Sequence, residues 1–252
     1  TCDVGVLPNV FPGYQPVTDA NVRAKFAKAW GVESLPDKVG YMLSAIPHLV
    51  KDGKLKAFYV FGEDPAQTDA DLAGVREALQ TLELVIVQDI FTNKTALFAD
   101  VILPATAWGE HEGIYSSADR GFQHFRKAIE PKGDVKVDWE IFSLMANAMG
   151  YPMHYNNTKE IWDEMRELCP IYYGATYEKI DSQGGVQWPC PTLDHPGTPY
   201  LYKGNKFDRP NGKGLLFASE WRPPLERVDG EYPLVLSTVR EVGHYSCRTM
   251  TG

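Results

Sequence analysis

Long apolar runs, basic blocks and paired cysteines are all missing from this 252-residue chain, and each absence removes a class of function. No stretch approaches the roughly 18 apolar residues that cross a bilayer. The opening TCDVGVLPNV has neither a basic n-region nor an apolar h-region, so neither membrane insertion nor secretion is expected. Lys and Arg number 25 against 33 Asp and Glu, a formal net charge of -8 without a basic cluster. That is no footprint for a phosphate backbone, and nucleic acid is set aside as a partner. The four cysteines, Cys2, Cys169, Cys190 and Cys247, are far apart and form no C-x-x-C. No zinc or iron–sulfur ligand set is therefore legible, and a reduced, cytoplasmic setting is expected.

What is present is a globular composition, 44% hydrophobic and 23% charged, enough for one large domain or two ordinary ones. The chain has no initiating methionine, and its 18 prolines and 22 glycines thicken in the second half. Both facts lead us to expect a segment of something larger.

The order of elements is the first positive signal. Val22, Phe26 and Trp30 fall at helical spacing in NVRAKFAKAW (21–30), with Gly31 at the stop. LKAFYVFG (55–62) reads as a strand, TDADLAGVREALQTL (68–82) as a helix through Leu72, Val75, Leu79 and Leu82, and LELVIVQD (82–89) as a second strand. IFTNKTALFA (90–99) is expected to be a helix entered at Thr92, and DVILPAT (100–106) a third strand. Alternation of this kind predicts a parallel sheet with covered faces, the carboxyl ends of its strands on one edge, where ligands bind. Beyond 107 the pattern loosens into WGEHEGIYSSADRG, then helices over 137–150 and 159–170. After 180 loops and hairpins are expected, with Asn211-Gly212 as a hairpin turn and YPLVLSTV (232–239) as a strand.

Residues at that sheet edge have two readings each. In GEDPAQTD (62–69), Gly62 permits a sharp turn off the strand, Thr68 can cap a helix with Asp71 three residues on, and Asp64 can accept two N–H bonds from a guanine edge or bind ribose hydroxyls. The competing reading is an ordinary strand-to-helix turn whose acids cap a helix, because neither G-x-G-x-x-G nor a Walker lysine is present. Gln88 and Asp89 end the second strand, and Ala105 and Thr106 end the third, so three loops can converge on one ligand. Asp138 fits an N-cap as well as a ligand contact. Glu110, His111 and Glu112, with His124 beyond, lack H-E-x-x-H spacing and are read as a solvated loop rather than a metal site. His48, His154 and His195 are read as structural or exposed. The tail REVGHYSCRTMTG (240–252) follows an apolar strand as a loop able to wrap an anion; spacing supplies no base and orienter for Ser246 or Cys247 as a nucleophile.

One long stretch, FGEDPAQTDADLAGVREALQTLELVIVQDIFTNKTALFADVILPATAWGEHEGIYSSADRGFQ, resembles the bis-molybdopterin guanine dinucleotide oxidoreductases. MGYPMHYNNTKEIWDEMRELCP, YGATYEKI, QWPC and LVLSTVREVGHYSCRTMTG narrow the resemblance to formate dehydrogenases of the formate hydrogenlyase type. The resemblance implies molybdenum held by two pterin dithiolenes and a selenocysteine or cysteine, a 4Fe-4S cluster, and oxidation of formate to carbon dioxide beside the electron-transfer subunits of a hydrogenlyase-like complex. It places the cluster cysteines, the metal ligand and the formate-binding arginine upstream of Thr1, so that this chain holds no catalytic residue. It implies the second half of a Rossmann-like cofactor domain over 1–107, a linking section of the cluster-bearing domain over 108–200, and the start of a β-barrel domain over 201–252. The contacts to one guanosine and its pyrophosphate fall on Asp64, Thr68, Gln88, Ala105 and Asp138; the pterin-facing contacts fall on Arg240, Glu241, Gly243, His244 and Ser246. Asp64 and Asp138 would read guanine or ribose, Arg240 would offset phosphate or dithiolene charge, and Ala105, without a polar side chain, would contact through backbone. Two alternatives stay open: the same family with another substrate such as nitrate, or a cofactor-free structural module of a redox complex.

Overall fold

The computed structural model of the protein describes residues 2–239. Arg240, Glu241, Gly243, His244 and Ser246 thus lie outside the described residues. The chain divides into two units, Thr1–Pro199 and Tyr200–Gly252.

The first unit opens on a short antiparallel ribbon, β1 (Val10–Phe11) and β2 (Gln15–Pro16). Helix α1 (Ala20–Ala29) follows, capped by Asp19, whose side chain accepts from the N–H groups of Asn21 and Val22. Its Phe26 is fully buried and stacks on Phe11 at 4.6 Å. The brief α2 (Ile46–Lys51) then leads into the parallel sheet.

That sheet comprises β3 (Ala57–Phe61), β4 (Leu84–Asp89) and β5 (Val101–Pro104), side by side in that order and all parallel. Strand alternation sorts the faces. Val60, Val85 and Val87 point into a cluster with Ala66, Val75, Leu79 and Ala96, each large aliphatic side chain contributing about 1.5–3 kcal/mol by leaving water. Tyr59 and Phe61 point the other way, against Phe142, at ring separations of 5.8 and 5.2 Å. The predicted helix over 68–82 is shorter, α4 (Leu72–Thr81), and is preceded by a separate short helix, α3 (Pro65–Thr68), which Thr68 ends. Asp71, not Thr68, caps α4 by accepting from Gly74 N–H. The helix expected from Thr92 shrinks to a single 3-10 turn, Thr95–Phe98; the residues before it are drawn into bonds with the neighbouring loop.

A second, antiparallel sheet is made from β6 (Gly113–Ser116), β7 (Gly121–Phe125) and the later β8 (Val186–Gln187). Between them run α5 (Asp138–Ala148), α6 (Thr158–Leu168) and α7 (Tyr177–Gln183). Phe122, Trp162, Tyr172, Ile180 and Val186 form the core of this part. Gly174 permits its closest backbone approach: a Cβ there would sit 1.8 Å from the Thr192 carbonyl oxygen. Asp3 ties the N-terminal segment to this sheet, accepting from Tyr14 Oη (2.7 Å), Trp188 Nε1 (3.2 Å) and Ser116 Oγ.

In the second unit the Asn211-Gly212 turn forms, with Gly212 at φ +64° and its N–H bonded to Arg209 O at 2.8 Å. The expected flanking strands and the strand over 232–239 do not: among the described residues of this unit nothing is in a strand.

Candidate functional site

The carboxyl edge of the parallel sheet gathers the five candidate site residues that lie among the described residues: Asp64, Thr68, Gln88, Ala105 and Asp138. β3 ends on Phe61, in register with Gln88, and the chain turns off at Gly62, whose φ of +62° is open to glycine at no steric cost. Gly62 N–H donates to Gln88 O at 2.9 Å, so the first loop is tied to the second strand at its last turn.

Asp64 is 2% exposed, and its carboxylate is spoken for. Oδ1 accepts from Thr95 N–H (2.8 Å) and Thr95 Oγ1 (2.6 Å), and Oδ2 from Lys94 N–H (3.3 Å). Thr95 Oγ1 in turn accepts from Ala66 N–H at 3.1 Å. Asn93 adds bonds to Glu63 O and Asp89 Oδ2. The loops after β3 and β4 are thereby locked into one shelf. Thr68, expected as a cap, instead donates its hydroxyl back to Asp64 O at 3.0 Å.

Gln88 is fully buried. Its Oε1 accepts from the hydroxyl of Tyr59 on β3, and its Nε2 donates to Asp138 Oδ1 at 2.6 Å. Asp138 is therefore not the cap of α5 but its first residue; Val137 precedes it and makes no side-chain cap bond. The Gln88 amide has drawn the carboxylate onto the sheet edge instead. Its Oδ2 has no donor among the described residues. Burial pushes the Asp138 carboxyl above the usual carboxylate range; the Gln88 hydrogen bond and the His111 ring pull it back, and the Asp89 charge adds to the rise. Burial, with the Asp138 charge behind it, also raises the Tyr59 phenol to about 12.

The third loop closes the edge. Ala105 N–H donates to Asp89 O at 3.1 Å, which leaves only its carbonyl for any backbone contact. Thr106, 3% exposed, donates its N–H to Lys136 O at 3.1 Å and meets His111 Nδ1 through its hydroxyl at 3.0 Å. His111 is thus part of this polar edge. A cavity of about 420 Å³ lies beyond it, lined in part by Thr106, His111, Lys127, Lys136 and Trp139 but by neither Gln88 nor Asp138. Among the described residues no group of three or more His, Cys, Asp or Glu side chains is arranged to hold a metal ion.

Asp64, Thr68, Gln88, Ala105 and Asp138 are therefore brought to one edge, three of them, Asp64, Thr68 and Asp138, with different partners from those expected. Tyr59, Asn93, Thr95 and His111 belong to the same edge and were not singled out as ligand contacts. Tyr59 sits in an apolar strand, where an aromatic reads as core; only the register Phe61↔Gln88 reveals its partner.

A parallel sheet with a polar, acceptor-rich carboxyl edge defines an α/β protein of the class that holds a ligand at its strand ends. The chain belongs to the molybdopterin oxidoreductase family, which residues 7–148 match. It is 62% identical over 253 residues to formate dehydrogenase H of Escherichia coli K12, covering 100% of this chain and 35% of that protein. It is 41% identical over 252 residues to the F420-dependent formate dehydrogenase 2 subunit alpha of Methanococcus maripaludis, covering 99% and 36% respectively. The chain spans about a quarter to a third of the length of the curated relatives it matches. Among solved structures, acetylene hydratase from Pelobacter acetylenicus shares the fold over 76% of this chain and 26% of its own, with a TM-score of 0.52 and 19% identity. No helix among the described residues is long and apolar enough to cross a membrane.

Proposed function

We propose that this chain is the guanosine-holding segment of a molybdenum formate dehydrogenase that oxidises formate to carbon dioxide. The observation that carries the site reading is the Asp138 carboxylate, fixed at one oxygen by Gln88 and with no donor to the other among the described residues. Adjacent N–H donors of a guanine base, or the hydroxyls of a ribose, complement such an acceptor. The activity is carried by the formate dehydrogenases to which the chain is similar along its whole length.

The donor set fits one end of the cofactor better than the other. Glu63, Asp69, Asp89 and Asp138 make this edge acidic, and burial lifts the carboxyl of Asp69 as well as that of Asp138. Like charges repel a pyrophosphate and favour the donor-bearing nucleoside. Gln88, Asp138, Ala105 O and the shelf built by Asp64 and Thr68 thus hold the guanosine, and Arg240, Glu241, Gly243, His244 and Ser246 face the pterin, with Arg240 offsetting the anionic charge. The cofactor, Mo-bis(molybdopterin guanine dinucleotide), supplies the redox chemistry when bound. This chain's residues bind and orient it.

The rest of the reading follows the resemblance of the sequence to formate dehydrogenases of the formate hydrogenlyase type. The 4Fe-4S cluster and the selenocysteine or cysteine metal ligand belong to the part of the complete protein outside 1–252. Residues 1–107, 108–200 and 201–252 are allotted to the cofactor domain, the cluster-bearing domain and the start of a β-barrel. Electron-transfer subunits of a formate hydrogenlyase-like complex are the partners, and the cytoplasm is the setting. Formate added to the complete protein is expected to reduce a viologen dye, whereas the 252-residue chain alone is expected to be inert. Nitrate consumption with reduced viologen and no response to formate would overturn the substrate assignment.

A further inference from the structure

Tyr59 has no role in the reading above, yet it starts the chain of bonds that ends at the site. Along β3, Phe58 and Val60 face the aliphatic cluster, and Tyr59 faces Phe142 of α5. Its hydroxyl reaches Gln88 Oε1, and Gln88 Nε2 reaches Asp138 Oδ1. An amide in a fully buried position has two orientations, related by exchange of its oxygen and nitrogen. With the nitrogen toward Asp138, an N–H meets an ionised carboxylate; with the oxygen there, two acceptors meet at 2.6 Å unless the carboxyl group carries a proton.

We propose that Tyr59 is a positioning residue for the strand-end site: its hydroxyl fixes the Gln88 amide so that Asp138 is held by one oxygen and presents the other to the N–H donors of guanine. The proposal rests on the strand-end edge being the nucleoside site. It commits to a ligand that donates, which favours guanine over adenine at an acceptor.

The groups facing Asp138 are Gln88 and Asp89 from β4 and His111 from the loop after β5, with the charge of Asp138 felt in turn by Tyr59 on β3. Gln88 and His111 favour the ionised carboxylate; burial and Asp89 oppose it. Without the Tyr59 hydroxyl, the amide is free to turn its oxygen toward a protonated Asp138. The carboxyl group then takes up its proton at higher pH. Ligand binding that needs the ionised form is lost as pH falls through that value, so the acid limb of the binding profile moves upward.

The test titrates GMP and AMP into the complete protein, freed of cofactor, between pH 5 and 8. Wild type is expected to prefer GMP. Tyr59→Phe is expected to bind GMP on the order of tenfold more weakly at pH 7, with its acid limb displaced upward. Phe142→Leu loosens the same ring contact without touching the hydroxyl and is expected to leave the limb in place. Gln88→Leu is expected to displace it, and adding Tyr59→Phe to Gln88→Leu is expected to change nothing further, because Tyr59 acts through the amide. A Tyr59→Phe limb coincident with wild type, or an equal displacement in Phe142→Leu, overturns the proposal. If Tyr59→Phe does not fold, an undisplaced limb in Gln88→Leu overturns it. An Asp138→Asn protein that binds GMP as wild type does instead removes the strand-end reading itself.

Discussion

Asp138 shows how a single carboxyl group can be placed for binding at the expense of stability. Its folded pKa is raised, mainly by burial. A carboxylate raised in this way weakens the fold as it ionises: the unfavourable contribution is absent below the unfolded value of about 3.9 and complete above the folded one. Asp138→Asn keeps an acceptor for Gln88 and removes the charge. It is expected to raise the melting temperature at pH 7, with the gain shrinking to nothing towards pH 4 in a series of thermal melts. Asp64 serves the fold through its hydrogen bonds. Its carboxylate is engaged by Thr95 and Lys94, so Asp64→Ala strands buried donors and is expected to cost about 2–3 kcal/mol in urea unfolding. The shelf it ties together loosens at the same time, and molybdenum content of the complete protein is expected to fall. Asp64 was legible in the sequence as an acid at a strand end and Asp138 as an acid at a helix start; their partners were not, since they lie between 30 and 50 positions away.

Elements were legible where the signal is local. The apolar runs of β3, β4 and β5 and the helical spacing of α1 and α4 declare themselves within ten residues or so. The 3-10 turn at Thr95–Phe98 defeated that approach because Asn93, Lys94 and Thr95 spend their polar groups on Asp64, Glu63 and Asp89 rather than on a helix. The antiparallel sheet of β6, β7 and β8 was equally hidden: its third strand arrives from Val186–Gln187 after three helices. Phe122 is where that long-range pairing is secured. It is fully buried, edge-on to Trp162 at 4.7 Å and to Tyr172 at 4.9 Å. Phe122→Ala is therefore expected to destabilise by about 3–5 kcal/mol, read as a shift in denaturant midpoint without a change in the spectrum of any bound cofactor.

The parallel sheet and its clamped loops form an acceptor-lined edge; under the proposed function this edge holds the cofactor, and the chain spans about a quarter to a third of the length of the formate dehydrogenases it resembles. The central claim is that this edge grips the guanosine end of that cofactor, and Asp138 is its most exposed commitment. Molybdenum and acid-released guanine nucleotide, both measured per mole of the complete Asp138→Ala protein, test it most directly. The account predicts that the two fall together, by about tenfold, the equivalent of about 1.4 kcal/mol for one lost hydrogen bond to a charged group. Molybdenum and guanine at wild-type levels in a folded Asp138→Ala protein would contradict it.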